Sequence, residues 1–391
     1  MKRILFFTIP EKGHINPMIG PAVWLQKLGH EVRFHAPHDI SSQLHAAGLQ
    51  PLDANVLAAP PPEANRGAFF AEKVRDSVWL RQWIHRLLIE EAPAQIEGYA
   101  DAIARFQPHL IVTDPMIYPA AIAAHEARVP WVALSNSLNP VLDDSVTSDL
   151  LDTVASLSAD REALFTAHGM KLRFSGCDMI SPHLTIAFAT REFIGRDVPG
   201  VQMVGPSLPP AARGDEVPLD ESLLSTTRKK VFMSFGSQIY HQPELFRKVI
   251  RVTEPMGVQL ILSVNALLGT PELGELPPHV LALPYVPQLR LLPHMDAFIT
   301  HGGANSVMEA LHFGVPMLIS PVCNDQFHQA HFLERTRAGQ VLDLSTAAEE
   351  DITIRISRLL FNPHLKERVK ALQASYAVDG ARRAAELIAA L

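Results

Sequence analysis

The stretch "FFTIPEKGHINPMIG", residues 6–20, runs from an apolar segment through a turn into a helical pattern and sets His14 between Gly13 and Ile15. An imidazole titrates near neutral pH, so at a strand-to-helix corner it is suited to take a proton from a hydroxyl. The stretch "HLIVTDP" ends a second apolar run on Asp114. Two readings fit that carboxylate. It accepts a hydrogen bond from one ring nitrogen of His14, fixing the tautomer and stabilising the imidazolium, or it caps a helix starting at Pro115. A lone histidine is more often a surface or capping residue, and the chain has 18 of them. His14 therefore gains weight only with Asp114 beside it.

A denser constellation runs from Tyr285 to Gln326, "YVPQLRLLPHMDAFITHGGANSVMEALHFGVPMLISPVCNDQ". Its segment "HGGANSVMEAL" follows a strand pattern and opens a helical one. Gly302 and Gly303 allow close backbone approach, and the amides at Asn305 and Ser306, with the serine hydroxyl, fall at a helix N-terminus, where an anion is favoured. His301 is placed to donate to a phosphate, and the Glu309 carboxylate further along the helix suits paired ribose hydroxyls. Tyr285 offers a ring face to a flat base with Gln288 beside it, while Asp325 and Gln326 present adjacent polar side chains of the kind that read sugar hydroxyls. Singly these are a Gly-rich turn, an N-cap and a solvated glutamate. Together they spell base, ribose, diphosphate and sugar in order. "HQAH", with His328 and His331 at i, i+3, has zinc-compatible spacing but no evident further ligand, and reads as a surface pair.

These residues need strands to hold them. "RILFFTI", "EVRFHAP", "HLIVTD", "VPWVALS" and "LTIAFAT" alternate with longer helical patterns up to about residue 190, and "KKVFMSFGS", "GVQLILSV", "HVLALPYVPQ", "MDAFITHGG" and "GVPMLISPV" repeat the rhythm later. The rhythm predicts an α/β chain with two parallel sheets, two Rossmann-like domains facing a cleft, with chemistry just past the carboxyl ends of the strands. "GPSLPPAARGDEVP", residues 205–218, is dense in Pro, Gly and charge, and packed structure is not expected to persist through it. The expected division is 1–208 for the first domain, 209–225 for a linker, 226–375 for the second domain, and 376–391 for a C-terminal helix packing back on the first.

At 391 residues the chain suits two domains, and its formal charge of −7 without a Lys/Arg stripe argues against a nucleic-acid partner. No stretch approaches the roughly 18 apolar residues of a membrane span. Pro10, Glu11 and Lys12 cut short the apolar start that would suggest a signal peptide. Cys177 and Cys323 stand far apart, so no disulfide framework is implied and a cytoplasmic setting is expected. The first corner offers only Gly13 and Gly20 where a dinucleotide loop would want Gly-x-Gly-x-x-Gly, which argues against NAD.

With "GHINP" at the start and the Tyr285–Gln326 box, the sequence closely resembles, over essentially its whole length, the UDP-dependent inverting glycosyltransferases of the GT-B fold, a family that includes bacterial macrolide glycosyltransferases. The resemblance implies His14 as general base with Asp114 as its partner. It implies donor contacts at Ser237 in "SFGSQ", Tyr285, Val286, Gln288, His301, Gly303, Ala304, Asn305, Ser306, Glu309, Asp325 and Gln326. Where the family commonly has Trp this chain has Tyr285, and "HGGAN" follows the bacterial rather than the plant form of the box. The implied reaction is a single displacement in which an acceptor oxygen, deprotonated by His14, attacks the anomeric carbon of a UDP-sugar, UDP-glucose first, and inverts it. No Asp-x-Asp triplet occurs in the sequence, so the displacement is expected to proceed without a metal, the helix N-terminus and His301 offsetting the charge on the leaving diphosphate. A UDP-sugar epimerase on the same fold and a non-catalytic helper are the alternatives. "GHINP" disfavours the first, and the intact base and donor box disfavour the second. The acceptor, a lipophilic hydroxyl-bearing molecule of macrolide, polyphenol, terpenoid or carotenoid type, is expected against Ile15, Met116, Ile117 and Asn136 and near the region 60–90, with Phe69, Phe70, Trp79 and Trp83. The i, i+4 pair Trp79 and Trp83 equally fits ordinary helix packing. Nothing requires more than a monomer.

Overall fold

Parallel strands covered on both faces by helices read as nearly continuous apolar runs, and the computed structural model, which describes residues 1–52, 66–74 and 76–391, builds two sheets from such runs. The first compact unit comprises Met1–Pro61, Ser77–Asp215 and Val378–Leu391. Its strands are β1 (Arg3–Phe7), β2 (Glu31–His35), β3 (Leu110–Thr113), β4 (Trp131–Ser135), the hairpin β5 (Arg173–Ser175) and β6 (Asp178–Ile180), β7 (Leu184–Ala187) and β8 (Gln202–Met203). Six of them form a sheet in the order β2-β1-β3-β4-β7-β8, every pairing parallel. The chain leaves β1 for β2 on one side and returns to β3 on the other, so the switch point lies between β1 and β3. Outside the carboxyl ends of such strands a ligand crevice opens.

Helix α1 (Lys12–Lys27) follows β1 and is buried along Ile15–Val23 although it contains Pro17 and Pro21. Each proline lacks the N–H that would reach the carbonyl four residues back. The Pro17 carbonyl instead accepts from Ser207 Oγ at 2.5 Å. Gly20 lets the C-terminal helix Gly380–Ala390 lie close, since a Cβ there would meet Ala381 Cβ at 2.7 Å and the Leu208 carbonyl oxygen at 3.0 Å. Packing does not lapse from residue 205 as the composition suggests: Gly205, Ser207 and Arg213 are buried. Within the segment, Arg213 Nε pairs with Asp215 Oδ1 at 2.8 Å.

The second unit comprises Pro62–Asp76 and Glu216–Ala377, and helix Arg66–Lys73 groups with it. Its sheet runs β11-β10-β9-β12-β13-β14, all parallel, from β9 (Lys230–Ser234), β10 (Gln259–Ser263), β11 (Val280–Leu283), β12 (Ala297–Thr300), β13 (Met317–Ile319) and β14 (Gly339–Val341). The neighbouring strands β9 and β12 stack Phe232 on Phe298 at 4.7 Å, and the switch point lies between them. All ten expected strands form. The hairpin β5–β6 and the short strands β8 and β14 were not expected.

Candidate functional site

The first switch point carries the dyad. His14 sits in the first turn of α1, and Asp114 is the residue after β3, fully buried, with its N–H donating to the Phe7 carbonyl at 3.1 Å. His14 Nδ1 lies 2.6 Å from Asp114 Oδ2, and the imidazole side chain keeps 20% of its surface exposed. Asp114 Oδ1 meanwhile accepts from the Met116 N–H at 2.9 Å. The carboxylate therefore faces His14 and closes a turn on Met116, but it does not cap a helix: the helix that follows starts at Tyr118 with Ile117 as its N-cap, not at Pro115. A carboxylate on Nδ1 assigns the proton to that nitrogen and leaves the ring's basic lone pair on Nε2.

Lys12, two residues before His14, approaches Asp215 at 4.0 Å. Burial lowers the Lys12 pKa and nearby Arg213 lowers it further, against the opposing pull of Asp215. Asn16 on the next turn takes a hydrogen bond from Gln43 Nε2 at 2.7 Å. This cluster was not legible in advance, because its acid and its guanidinium come from the segment that composition marks as loose.

Of the expected acceptor residues, Ile15 and Ile117 are 3% and 6% exposed. Met116 is half-buried and Asn136 partly exposed. Trp79 and Trp83 stack face to face, centroids 5.7 Å apart, and pack as partly buried rings against the core of the first unit. Phe69 is exposed. Residues 60–65 and the Phe70 side chain lie outside the described residues.

The second switch point carries the residues expected to bind the donor. His301 follows β12, and helix Ala304–Phe313 starts at once, with Gly303 as its N-cap and Ala304, Asn305 and Ser306 as its first turn. Burial pushes the His301 imidazole down to about 4, against a hydrogen bond with the Ser234 backbone that raises it. The ring is thus a neutral donor at neutral pH rather than a cation. Two glycines make room for it: a Cβ on Gly303 would meet its Nε2 at 2.6 Å, and one on Gly236 its Cε1 at 2.8 Å. Gly236, in "SFGSQ" after β9, was missed in the sequence although a glycine directly after a strand is the signal for such an approach. Ser237 beside it is exposed.

Glu309 is 1% exposed and accepts from Gln288 Nε2 at 2.7 Å. That amide also lies 3.4 Å from Ser306 Oγ, which joins three expected donor residues in one cluster. Tyr285 is partly exposed two residues past β11, and Val286 after it is buried. The expected Asp325–Gln326 pair does not present itself as a pair. Asp325 is partly exposed, whereas Gln326 is buried, its Oε1 accepting from the Val322 and Cys323 amides at 2.9 and 3.1 Å and its Nε2 lying 3.4 Å from Cys323 Sγ. His328 is not a surface residue either. It is 0% exposed, and burial lowers it to about 4 with the neighbouring His331 adding to the shift. Among the described residues no group of three or more His, Cys, Asp or Glu could hold a metal ion, and no helix is long and apolar enough to cross a membrane.

Residues 224–377 match the family model for UDP-glucoronosyl and UDP-glucosyl transferases. The oleandomycin glycosyltransferase of Streptomyces antibioticus is 28% identical over 404 residues, covering 99% of this chain and 90% of that protein. Among solved structures, the glycotransferase of kitacinnamycin superposes with a TM-score of 0.76 at 22% identity over 100% of this chain and 98% of its own. The glycosyltransferase VinC in complex with DTDP does so with a TM-score of 0.67 at 21% identity over 99% and 98%. With its two all-parallel α/β sheets this chain has the GT-B fold of these glycosyltransferases, and its second sheet lies in the region that the UDP-glucoronosyl and UDP-glucosyl transferase model matches.

Proposed function

We propose that this glycosyltransferase moves glucose from UDP-glucose to a hydroxyl of a lipophilic natural product by single displacement with inversion, without a metal, and that it works as a monomer in the cytoplasm. The observation that carries the reading is the 2.6 Å contact between His14 Nδ1 and a fully buried Asp114. The carboxylate sets the tautomer in which Nε2 takes the proton from the acceptor hydroxyl, and its charge offsets the imidazolium that results. The oxygen so activated attacks the anomeric carbon, the bond to the diphosphate oxygen breaks with its electron pair, and an α-linked donor gives a β-glycoside.

Charge accumulating on the leaving diphosphate is met by the first-turn amides of helix Ala304–Phe313 and by the neutral imidazole of His301. Tyr285 stacks on the base with Val286 and Gln288 alongside, Glu309 takes the ribose hydroxyls, Ser237, Gly303, Ala304, Asn305 and Ser306 line the phosphates, and Asp325 reads the sugar. Gln326 shapes the loop that presents Asp325. Met116, Trp79 and Trp83 offer apolar contact to the acceptor. The solved VinC complex holds DTDP, so dTDP-glucose is the competing donor. Nucleotide release from UDP-glucose and from dTDP-glucose, over a panel of macrolide, polyphenol and terpenoid alcohols and with excess chelator, tests the reading. Release that depends on acceptor, prefers UDP and survives chelation supports it. Absence of release with every acceptor overturns it.

A further inference from the structure

We propose that Asn136 is a positioning residue for His14, set in place by the buried carboxylate of Asp178. The inference rests on the reading of His14 as the base and assigns Asn136 a different task from acceptor contact. Pro17 brings no N–H to the carbonyl of Gly13, four residues before it in α1. The Asn136 side-chain amide donates to that same oxygen at 3.1 Å. That hydrogen bond, one residue before His14, ties the first turn of α1 to the loop after β4.

That loop is fixed from behind. Asp178, 1% exposed at the start of β6, accepts from Ser135 Oγ at 2.5 Å, Ser137 Oγ at 3.3 Å and Asn139 Nδ2 at 2.8 Å. The three donors bracket Asn136 at residues 135, 137 and 139. The loop braces itself further, the Ser137 and Asn139 amides donating to Ser135 Oγ and Ser137 Oγ at 3.2 and 3.0 Å. On the other side of Asp178, the Met179 N–H donates to the Pro115 carbonyl at 3.1 Å, in the turn that Asp114 closes. One buried carboxylate thus sits between the two backbone segments that carry the dyad: through Asn136 to Gly13, and through Met179 to Pro115. A buried carboxyl group needs hydrogen-bond partners, and the three that Asp178 finds fix the loop after β4.

The test compares wild type with Asn136→Ala, Asp178→Ala and His14→Ala, using UDP-glucose and a phenolic acceptor that the wild type turns over, together with the imidazole proton of His14 by NMR. Asn136→Ala should lower kcat about tenfold, as expected for a loosened catalytic geometry, with both KM values within about twofold, and should broaden the low-field Nδ1 proton shared with Asp114. Asp178→Ala should reproduce that pattern. If it does not fold, Asn136→Ala carries the test alone. A rise in acceptor KM at unchanged kcat makes Asn136 an acceptor contact and overturns the proposal, as does an unchanged kcat. If His14→Ala keeps near-normal turnover, the base assignment fails instead, and the Nδ1 resonance alone decides whether Asn136 positions the ring.

Discussion

At the scale of single residues, Asp114 does two separable jobs with its two oxygens. Oδ2 faces His14 Nδ1 and Oδ1 takes the Met116 amide, at 2.6 and 2.9 Å. Asparagine is nearly the same shape and keeps an oxygen for the amide, but it loses the charge that stabilises an imidazolium. Asp114→Asn should therefore leave the melting temperature within a few degrees while kcat falls by roughly a hundredfold or more, and His14→Ala should cost about 10²–10⁴ in kcat. Matched steady-state and melting measurements check both, and a large drop in stability with intact kcat in Asp114→Asn would reduce the carboxylate to a turn-closing role. Asp114 stood out because it ends an apolar run, and His14 because it lies just past the turn that follows one. The inward turn of Gln326 was not: sequence gives the residue type, and the rotamer follows from two loop amides at 322 and 323 that need an acceptor.

At the scale of elements, the clearest device is the collar of glycines around His301. Gly303 has φ −60°, which any residue adopts, whereas Gly236 has φ +72°. Alanine at 303 therefore strains no backbone and presses only on the ring, 2.6 Å from Nε2. Alanine at 236 meets the same ring and also takes a left-handed conformation that costs about 1–2 kcal/mol. Gly303→Ala should raise the KM for the nucleotide-sugar about tenfold with little change in melting temperature, while Gly236→Ala should show the same loss of donor affinity and a lower melting temperature. An unchanged donor KM in Gly303→Ala would remove His301 from the donor site. The long strands were legible because β-branched and aromatic runs between helical patterns leave few alternatives. β14 was not, since it is three residues that begin on a glycine and is held by pairing with β13. Nor was the way α1 tolerates Pro17 and Pro21, because the donors that serve it, Asn136 and Ser207, come from more than a hundred residues further along the chain.

At the scale of the whole molecule, the two compact units carry buried titratable groups of opposite sense. In the first, burial raises Asp178 from 3.8 to about 7, the Asp114 charge adding to the shift and hydrogen bonds from Asn139, Ser135 and Ser137 opposing it. Between those values the folded unit holds a proton that the unfolded chain releases, so this group's contribution to stability falls as pH rises, by up to about 4 kcal/mol above neutrality. In the second, burial lowers His301 and His328 from 6.5 to about 4. Their contribution is complete above 6.5 and is lost as pH falls towards 4, because the unfolded chain then takes up protons that the folded unit refuses, up to about 3 kcal/mol for each ring. None of this was legible in the sequence, where Asp178 is one acid among many and "HQAH" looks like surface, since burial is a property of the finished fold. Acidification from about pH 7.5 to about pH 5 should therefore loosen the donor-box unit selectively. Hydrogen exchange, corrected for its intrinsic pH dependence, should quicken in helices Ala304–Phe313 and Gln326–Thr336 and hold or slow in the hairpin β5–β6. His328→Gln, which removes one of these protonation sites, should blunt the acid response of the second unit and leave that of the first untouched. If both units lose protection in parallel, or the hairpin loosens first, the buried histidines do not set the acid limit of this enzyme.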